Sequence, residues 1–332
     1  EVYNETSQPF TPYRWSIYAQ DQIEYKGIVF TPGLRFDYFE PNSRYRVPSD
    51  DFVSIAADSG FADAEAKFQL SPRIFVAYPL TERSNISISY GMFFQIPPLQ
   101  YLYDNFNKTE TRGNDILGHP NMDAQRTNQY EVAYRNQLSD NFMLAISAYY
   151  KDIYNQVGLL YVPAVPHPFW QYQVAEFGYS KGIEFEFRRR TTDHIGFQIN
   201  YTLSQAEGTS TGPGSNYLRP IDPYTDQPAF PQDVFPLGFD RTHRAHFIFN
   251  FNWANDEGPS IGGIQPLENM NFNVRVNFTS GAPYTRRDLA GNAISEPNSE
   301  RQPSVWSNNM RVIKKFYLKD WFGESMGNSS ID

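Results

Sequence analysis

The 332 residues contain no cysteine, so neither a disulfide framework nor a thiolate metal site is open to this chain. No run of about 18 apolar residues occurs, which excludes a membrane-spanning helix. Basic residues are outnumbered, 28 Lys and Arg against 37 Asp and Glu. The net charge of −9 excludes a nucleic-acid partner, which needs clustered positive charge. Histidine is scarce, and the one close pair, His243 and His246, falls on opposite faces of a strand, so the two cannot share a metal. No nucleophile elbow, phosphate loop or HExxH motif is found. No catalytic residue, no metal site and no cofactor is therefore expected. Glu1 opens directly into polar and aromatic residues, without the pattern of a signal peptide; a removed leader or a fragment is the expectation.

Aromatic residues are abundant, 17% of the chain with 27 Phe and 23 Tyr, and they recur at every second position. In Arg14–Lys26, the mostly apolar Trp15, Ile17, Ala19, Asp21, Ile23 and Tyr25 alternate with the mostly polar Ser16, Tyr18, Gln20, Gln22 and Glu24. That is the period of a strand with one apolar and one polar face. After a tight turn at Tyr25-Lys26-Gly27, Ile28, Phe30, Leu34, Phe36 and Tyr38 continue the apolar face. Similar hairpins are predicted around Thr81–Ser84, Asn136–Asn141 and Arg190–His194. The segment from His243 to Trp253 and the one from Phe272 to Phe278 repeat the period, and a weaker strand is predicted near Val305–Leu318.

About eleven strands of roughly ten residues result, the length a tilted strand needs to cross a bilayer. Short turns alternate with long connections at about 40–66, 96–126, 153–179, 205–240 and 280–304, rich in Pro, Asn, Asp, Tyr and Gly. This rhythm predicts an all-β fold, a transmembrane antiparallel β-barrel with tight turns on one side and long loops on the other. The mean hydropathy of −0.57 does not oppose it, because only alternate strand residues face lipid. An odd strand count starting on the long-loop side does not close a bacterial barrel, which has an even number. The whole chain, 1–332, is therefore expected to be one partial barrel domain, lacking a plug and terminal strands.

Several segments together resemble the C-terminal barrel part of a TonB-dependent outer-membrane receptor, nearest the large Oar-like type. They are WSIYAQDQIEYKGIVFTPGLRFD (Trp15–Asp37), Leu70–Tyr78 with Ile88–Phe94, QYEVAYRNQLSDNFMLAISAYYKDI (Gln129–Ile153), SKGIEFEFRRR (Ser180–Arg190), DRTH (Asp240–His243) and SGAPYT (Ser280–Thr285). The resemblance implies a 22-stranded barrel of a Gram-negative outer membrane, filled by an N-terminal plug. It further implies import of a scarce, bulky ligand, driven by the inner-membrane TonB complex. Outer-membrane lipid, the plug, the TonB complex and a surface lipoprotein are the implied partners.

The apolar faces, represented by Ile17, Phe30, Phe36, Ile88, Phe94, Ile146, Phe185, Phe197, Phe249 and Val274, are expected to meet lipid. Trp15, Tyr25, Tyr78, Tyr150 and Trp253 lie near strand ends, where aromatic girdles sit. The polar faces, with Gln20, Gln22, Glu24, Arg35, Asp37, Arg73, Glu131, Arg135, Glu184, Glu186, Arg188 and Arg275, are expected to line the lumen. There such charges bind a plug, or in an open pore select ions. Loop aromatics Tyr101, Tyr103, Phe106, Trp170, Tyr172, Tyr217 and Tyr224 offer flat faces beside polar groups and are the candidate ligand contacts. Asp222, Asp226 and Asp233 match no Ca²⁺-loop spacing. Two other readings stay open at this point: a passive porin, assembly or adhesion barrel, and a soluble all-β carbohydrate-binding protein.

Overall fold

The computed structural model describes residues 10–46, 61–105, 115–162, 168–215, 221–222, 227–228, 234–291, 293–317 and 330–331. Eleven strands form one antiparallel meander in which each strand pairs with the next in sequence. They are β1 (Tyr13–Gln20), β2 (Ile28–Glu40), β3 (Lys67–Thr81), β4 (Ser84–Gln95), β5 (Gln125–Gln137), β6 (Phe142–Val162), β7 (Phe169–Thr192), β8 (Ile195–Gly208), β9 (His243–Trp253), β10 (Met270–Thr279) and β11 (Val305–Lys314). Among the described residues, β1 and β11 are the edges of this sheet.

The tight turns follow from local chemistry. Lys26 and Gly27 both have positive φ, 50° and 80°. This is the backbone of a type I′ hairpin turn, whose twist matches that of the flanking strands. Asp193 and His194 repeat it, with φ of 50° and 71°, and join β7 to β8. A turn at Glu82-Arg83 closes β3 onto β4.

Register carries the two faces across the whole sheet. Phe30, Val76, Ile88, Val132, Ala148, Ile183 and Leu203 stand opposite one another in sequence along seven strands. Next to that row run Tyr134, Ile146, Phe185, Tyr201 and Ala245. On the other face, Asn85, Arg135, Ala145, Glu186, Asn200, His246 and Asn277 form the equivalent row. His243 pairs with Leu203 and His246 with Asn200, so the two histidines lie on opposite faces, as the spacing predicts.

Most of one predicted connection is strand. Residues 153–162 and 169–179 continue the paired strands, so that β6 runs for 21 residues and β7 for 24. This is about twice the ten or so residues that cross a bilayer, so the ribbon continues well past the other strands on the long-loop side. The alternation is broken at Asn155, which has a φ of 57°, and register shifts flank Gln156. Such a bulge turns the strand and scrambles the two-residue period, which hides the continuation from a sequence reading. The 96–126 connection also contains a short helix, α1 (Leu99–Tyr103), and a two-residue strand, Ile116–Leu117.

Candidate functional site

The long-loop end is a packed unit. Ile116 and Leu117 pair in parallel with Trp170 and Gln171 of the β7 extension. Leu117, Val162 and Phe169 form one small core, and Phe39, Leu102, Tyr103 and Met122 another, flanked by Tyr101, Val157, Tyr172 and Val174. A Cβ on Gly118 would lie 2.6 Å from the Leu102 carbonyl oxygen, so glycine permits this contact between α1 and the following segment. The Tyr103 hydroxyl donates to the Pro41 carbonyl at 2.7 Å, and burial pushes its pKa up to about 12. His119 stacks on Tyr45 with centroids 5.0 Å apart, and burial, aided by nearby Lys67, lowers its pKa.

A second set of contacts fastens the connections that follow β8 and β10. Asp240, from the DRTH segment, has a side chain only 1% exposed. Its carboxylate accepts from the Ala206 backbone N–H at 2.8 Å and from the Arg301 guanidinium at 2.6 Å. Asn298 donates to the Pro236 carbonyl at 2.8 Å. Glu176 is buried and accepts from the Thr209 hydroxyl at 2.5 Å. One carboxylate thus ties β8 to two connections that are distant in sequence.

Between these two sets lies a pocket of about 250 Å³. Its walls are Gln95 to Pro98 at the end of β4, Tyr101 of α1, Gln125 of β5, and Gln156 and Val157 at the β6 bulge. Ser210 to Pro213 and Phe239 complete it. Of the predicted ligand contacts, Tyr101 lines this pocket, its ring packed on Tyr172 with centroids 4.6 Å apart. Tyr103 and Trp170 are buried in the packed unit, and Trp170 and Tyr172 sit on β7 rather than in a loop. Phe106, Tyr217 and Tyr224 lie outside the described residues, as do Asp226 and Asp233. Sequence reasoning missed the glutamines of this pocket: a glutamine at a strand end carries no signal that separates a ligand contact from a solvated amide.

The predicted apolar and polar residues divide between two faces of the sheet. Ile17, Phe30, Phe36, Ile88, Phe94, Ile146, Phe185, Phe197, Phe249 and Val274 share one face. Gln22, Glu24, Arg35, Asp37, Arg73, Glu131, Arg135, Glu184, Glu186, Arg188 and Arg275 share the other. The apolar face is open: Ile17 is 64% exposed, Ile88 54% and Ile183 51%. On it, aromatic rings gather towards both strand ends. Trp15, Tyr38 and Phe68 pack together near the long-loop side, and Phe142, Phe187 and Phe197 near the turns. On the polar face, Arg35 pairs with Asp37 at 2.8 Å, Gln198 donates to Glu186 at 3.1 Å, and Arg73 stacks over Phe93 at 4.5 Å.

A long antiparallel meander with one continuous, uncovered apolar face and aromatic rings at both of its margins defines an outer-membrane β-barrel wall. The chain belongs to the TonB-dependent receptors: the family described as TonB dependent receptor-like, β-barrel, matches residues 3–325. These are outer-membrane proteins of Gram-negative bacteria and transporters rather than enzymes. Similar solved structures include the FrpB iron transporter from Neisseria meningitidis, F3-3 variant, with a TM-score of 0.59 and 14% identity over 92% of this chain and 39% of that one. The ferric-catecholate import receptor Fiu from K12 E. coli gives 0.54 and 15% over 92% and 38%. A mutant of the ferric enterobactin receptor PfeA from Pseudomonas aeruginosa gives 0.58 and 14% over 92% and 38%. At these identities the likeness is one of fold, and the chain spans about two fifths of the length of each. No curated protein matches it.

Proposed function

We propose that this chain is the barrel part of an outer-membrane receptor that captures a bulky ligand at its long-loop end and imports it in a TonB-dependent manner. The observation that supports this best is the sorting of the wall residues onto two faces of a sheet in which each strand from β1 to β11 pairs with the next. A strip of exposed Ile, Val, Leu and Phe this long is not tolerated in water. The apolar residues from Ile17 to Val274 face lipid in this reading, and the polar residues from Gln22 to Arg275 face the lumen. Glu131, Glu184, Arg135 and Arg188 are then available to an N-terminal plug. Further strands complete a larger barrel, in keeping with the two-fifths coverage of the similar structures. Affiliation with the Oar-like type rests on the segments quoted from the sequence. A surface lipoprotein above the pocket is a further partner in this reading.

The test is ligand accumulation in intact cells carrying the full-length receptor, with and without a functional TonB complex. Accumulation that stops when TonB is inactivated supports the reading. Equal accumulation in both strains makes the barrel a passive porin and overturns it.

A further inference from the structure

The pocket at the long-loop end has an uncommon chemistry for the mouth of a chain with net charge −9. None of its lining residues is Asp, Glu, Lys, Arg or His. Glu176, which stands opposite Gln156 across β6 and β7, accepts from the Thr209 hydroxyl at 2.5 Å and takes no part in the lining. What the walls do present is amide and flat apolar surface. Gln95 and Gln125 stand directly opposite one another across β4 and β5. Gln156 adds a third amide to the lining.

Neutral amides recognise groups that both donate and accept without net charge, and a side-chain amide meets two adjacent hydroxyls through its N–H and its carbonyl together. The flat surfaces are positioned for the same ligand. Phe239 is 56% exposed, and Pro97, Pro98 and Tyr101 line the pocket together with the amides. The Tyr101 ring is held in place by Tyr172 at 4.6 Å, so a ligand stacked on it does not have to order it first.

From this arrangement we infer that the pocket is a subsite for a neutral glycan, resting on the reading of the chain as an importing receptor. The glutamines hydrogen-bond vicinal hydroxyls, while Tyr101 and Phe239 cover the C–H face of a sugar ring. An anionic metal chelate finds no counter-charge among these residues, and anion recognition draws on Arg and Lys. The volume of about 250 Å³ is below the ~300–1,000 Å³ of a site that encloses a whole drug-sized ligand. The pocket therefore takes one ring or so of a longer chain, the remainder lying along the mouth.

The experiment is calorimetric titration of the purified full-length receptor in detergent. The probes are four neutral oligosaccharides (maltohexaose, cellohexaose, xylohexaose and mannohexaose), ferric enterobactin as an anionic chelate, and a neutral hexa-alanine peptide. The expected result is saturable binding of at least one oligosaccharide and of neither other probe. That binding weakens at least tenfold in the Gln95→Ala/Gln125→Ala double variant and in Phe239→Ala, with both variants still heat-modifiable barrels. Absence of oligosaccharide binding, binding of the chelate or the peptide instead, or affinity unchanged in both variants overturns the inference. Accumulation of the bound glycan in cells with and without TonB separates the two readings. Binding without TonB-dependent accumulation leaves the glycan site standing and removes the importer. TonB-dependent accumulation of ferric enterobactin does the reverse.

Discussion

His119 shows how a loop residue acquires a property that its place in the sequence does not announce. It lies among Pro120, Tyr45 and Lys67, and its burial lowers the imidazole pKa below the ordinary 6.5. With the folded pKa below the unfolded one, the unfolded state binds more protons between the two, so stability falls as the pH drops below about 6.5. Above that value both states are neutral and the contribution is constant. The protection factors of the amides in residues 99–105 and 115–122, taken relative to the intrinsic exchange rate at each pH, should therefore fall between pH 7 and pH 5, and a His119→Phe variant should lose most of that dependence. Asp240 is the sharper case. Asp240→Ala removes the acceptor of the Ala206 N–H and the partner of Arg301. The expected loss is about 2–4 kcal/mol of local stability, read as faster exchange at the amides of Ala206 and Leu237. Protection unchanged at both would show that the carboxylate does not hold these connections. Neither role was legible beforehand, because Asp240 was visible only as part of a short DRTH resemblance and its two partners lie 34 and 61 residues away.

The strands themselves were legible, because a two-residue period is written locally and needs no knowledge of the partner strand. Trp15–Tyr25 and Ile86–Phe94 declare their apolar faces in a few residues, and the structure pairs them as that period requires. Arginine placed at Ile88, Phe185 or Phe249 should cost roughly 2–4 kcal/mol each if these positions lie near the bilayer midplane. The measure is the fraction of heat-modifiable barrel in outer-membrane preparations; wild-type levels in all three would remove them from the lipid face. The turns were equally readable. Gly27, with φ of 80°, should tolerate valine poorly, at about 1–2 kcal/mol for a left-handed residue bearing a Cβ, seen as slower barrel formation on refolding. The extension of β6 and β7 was not readable, since the bulge at Asn155 breaks the period that would have revealed it.

For the molecule as a whole, the alternation of tight turns with long connections sets which side faces the exterior. Protease added to intact cells should cut within the 205–240 connection and spare Asn136–Asn141. Cleavage at the tight turn would invert the orientation. Deleting residues 216–233 should leave the level of assembled barrel unchanged while reducing ligand uptake, measured as accumulation per folded receptor. Uptake equal to that of the intact receptor would exclude this connection from ligand capture.

By itself the amino-acid sequence determined most of the strands, their two faces and the tight turns. All of these follow from the pattern of neighbours within a dozen residues and from the chemistry of alternation. The three-dimensional arrangement alone decided what stands at the mouth. It brought Gln95, Gln125 and Gln156 together with Phe239, turned Tyr103 and Trp170 inward, and set Asp240 on Arg301. Those groups come from strand ends and from connections that are distant in sequence, and they meet only because the paired strands deliver their ends to the same place.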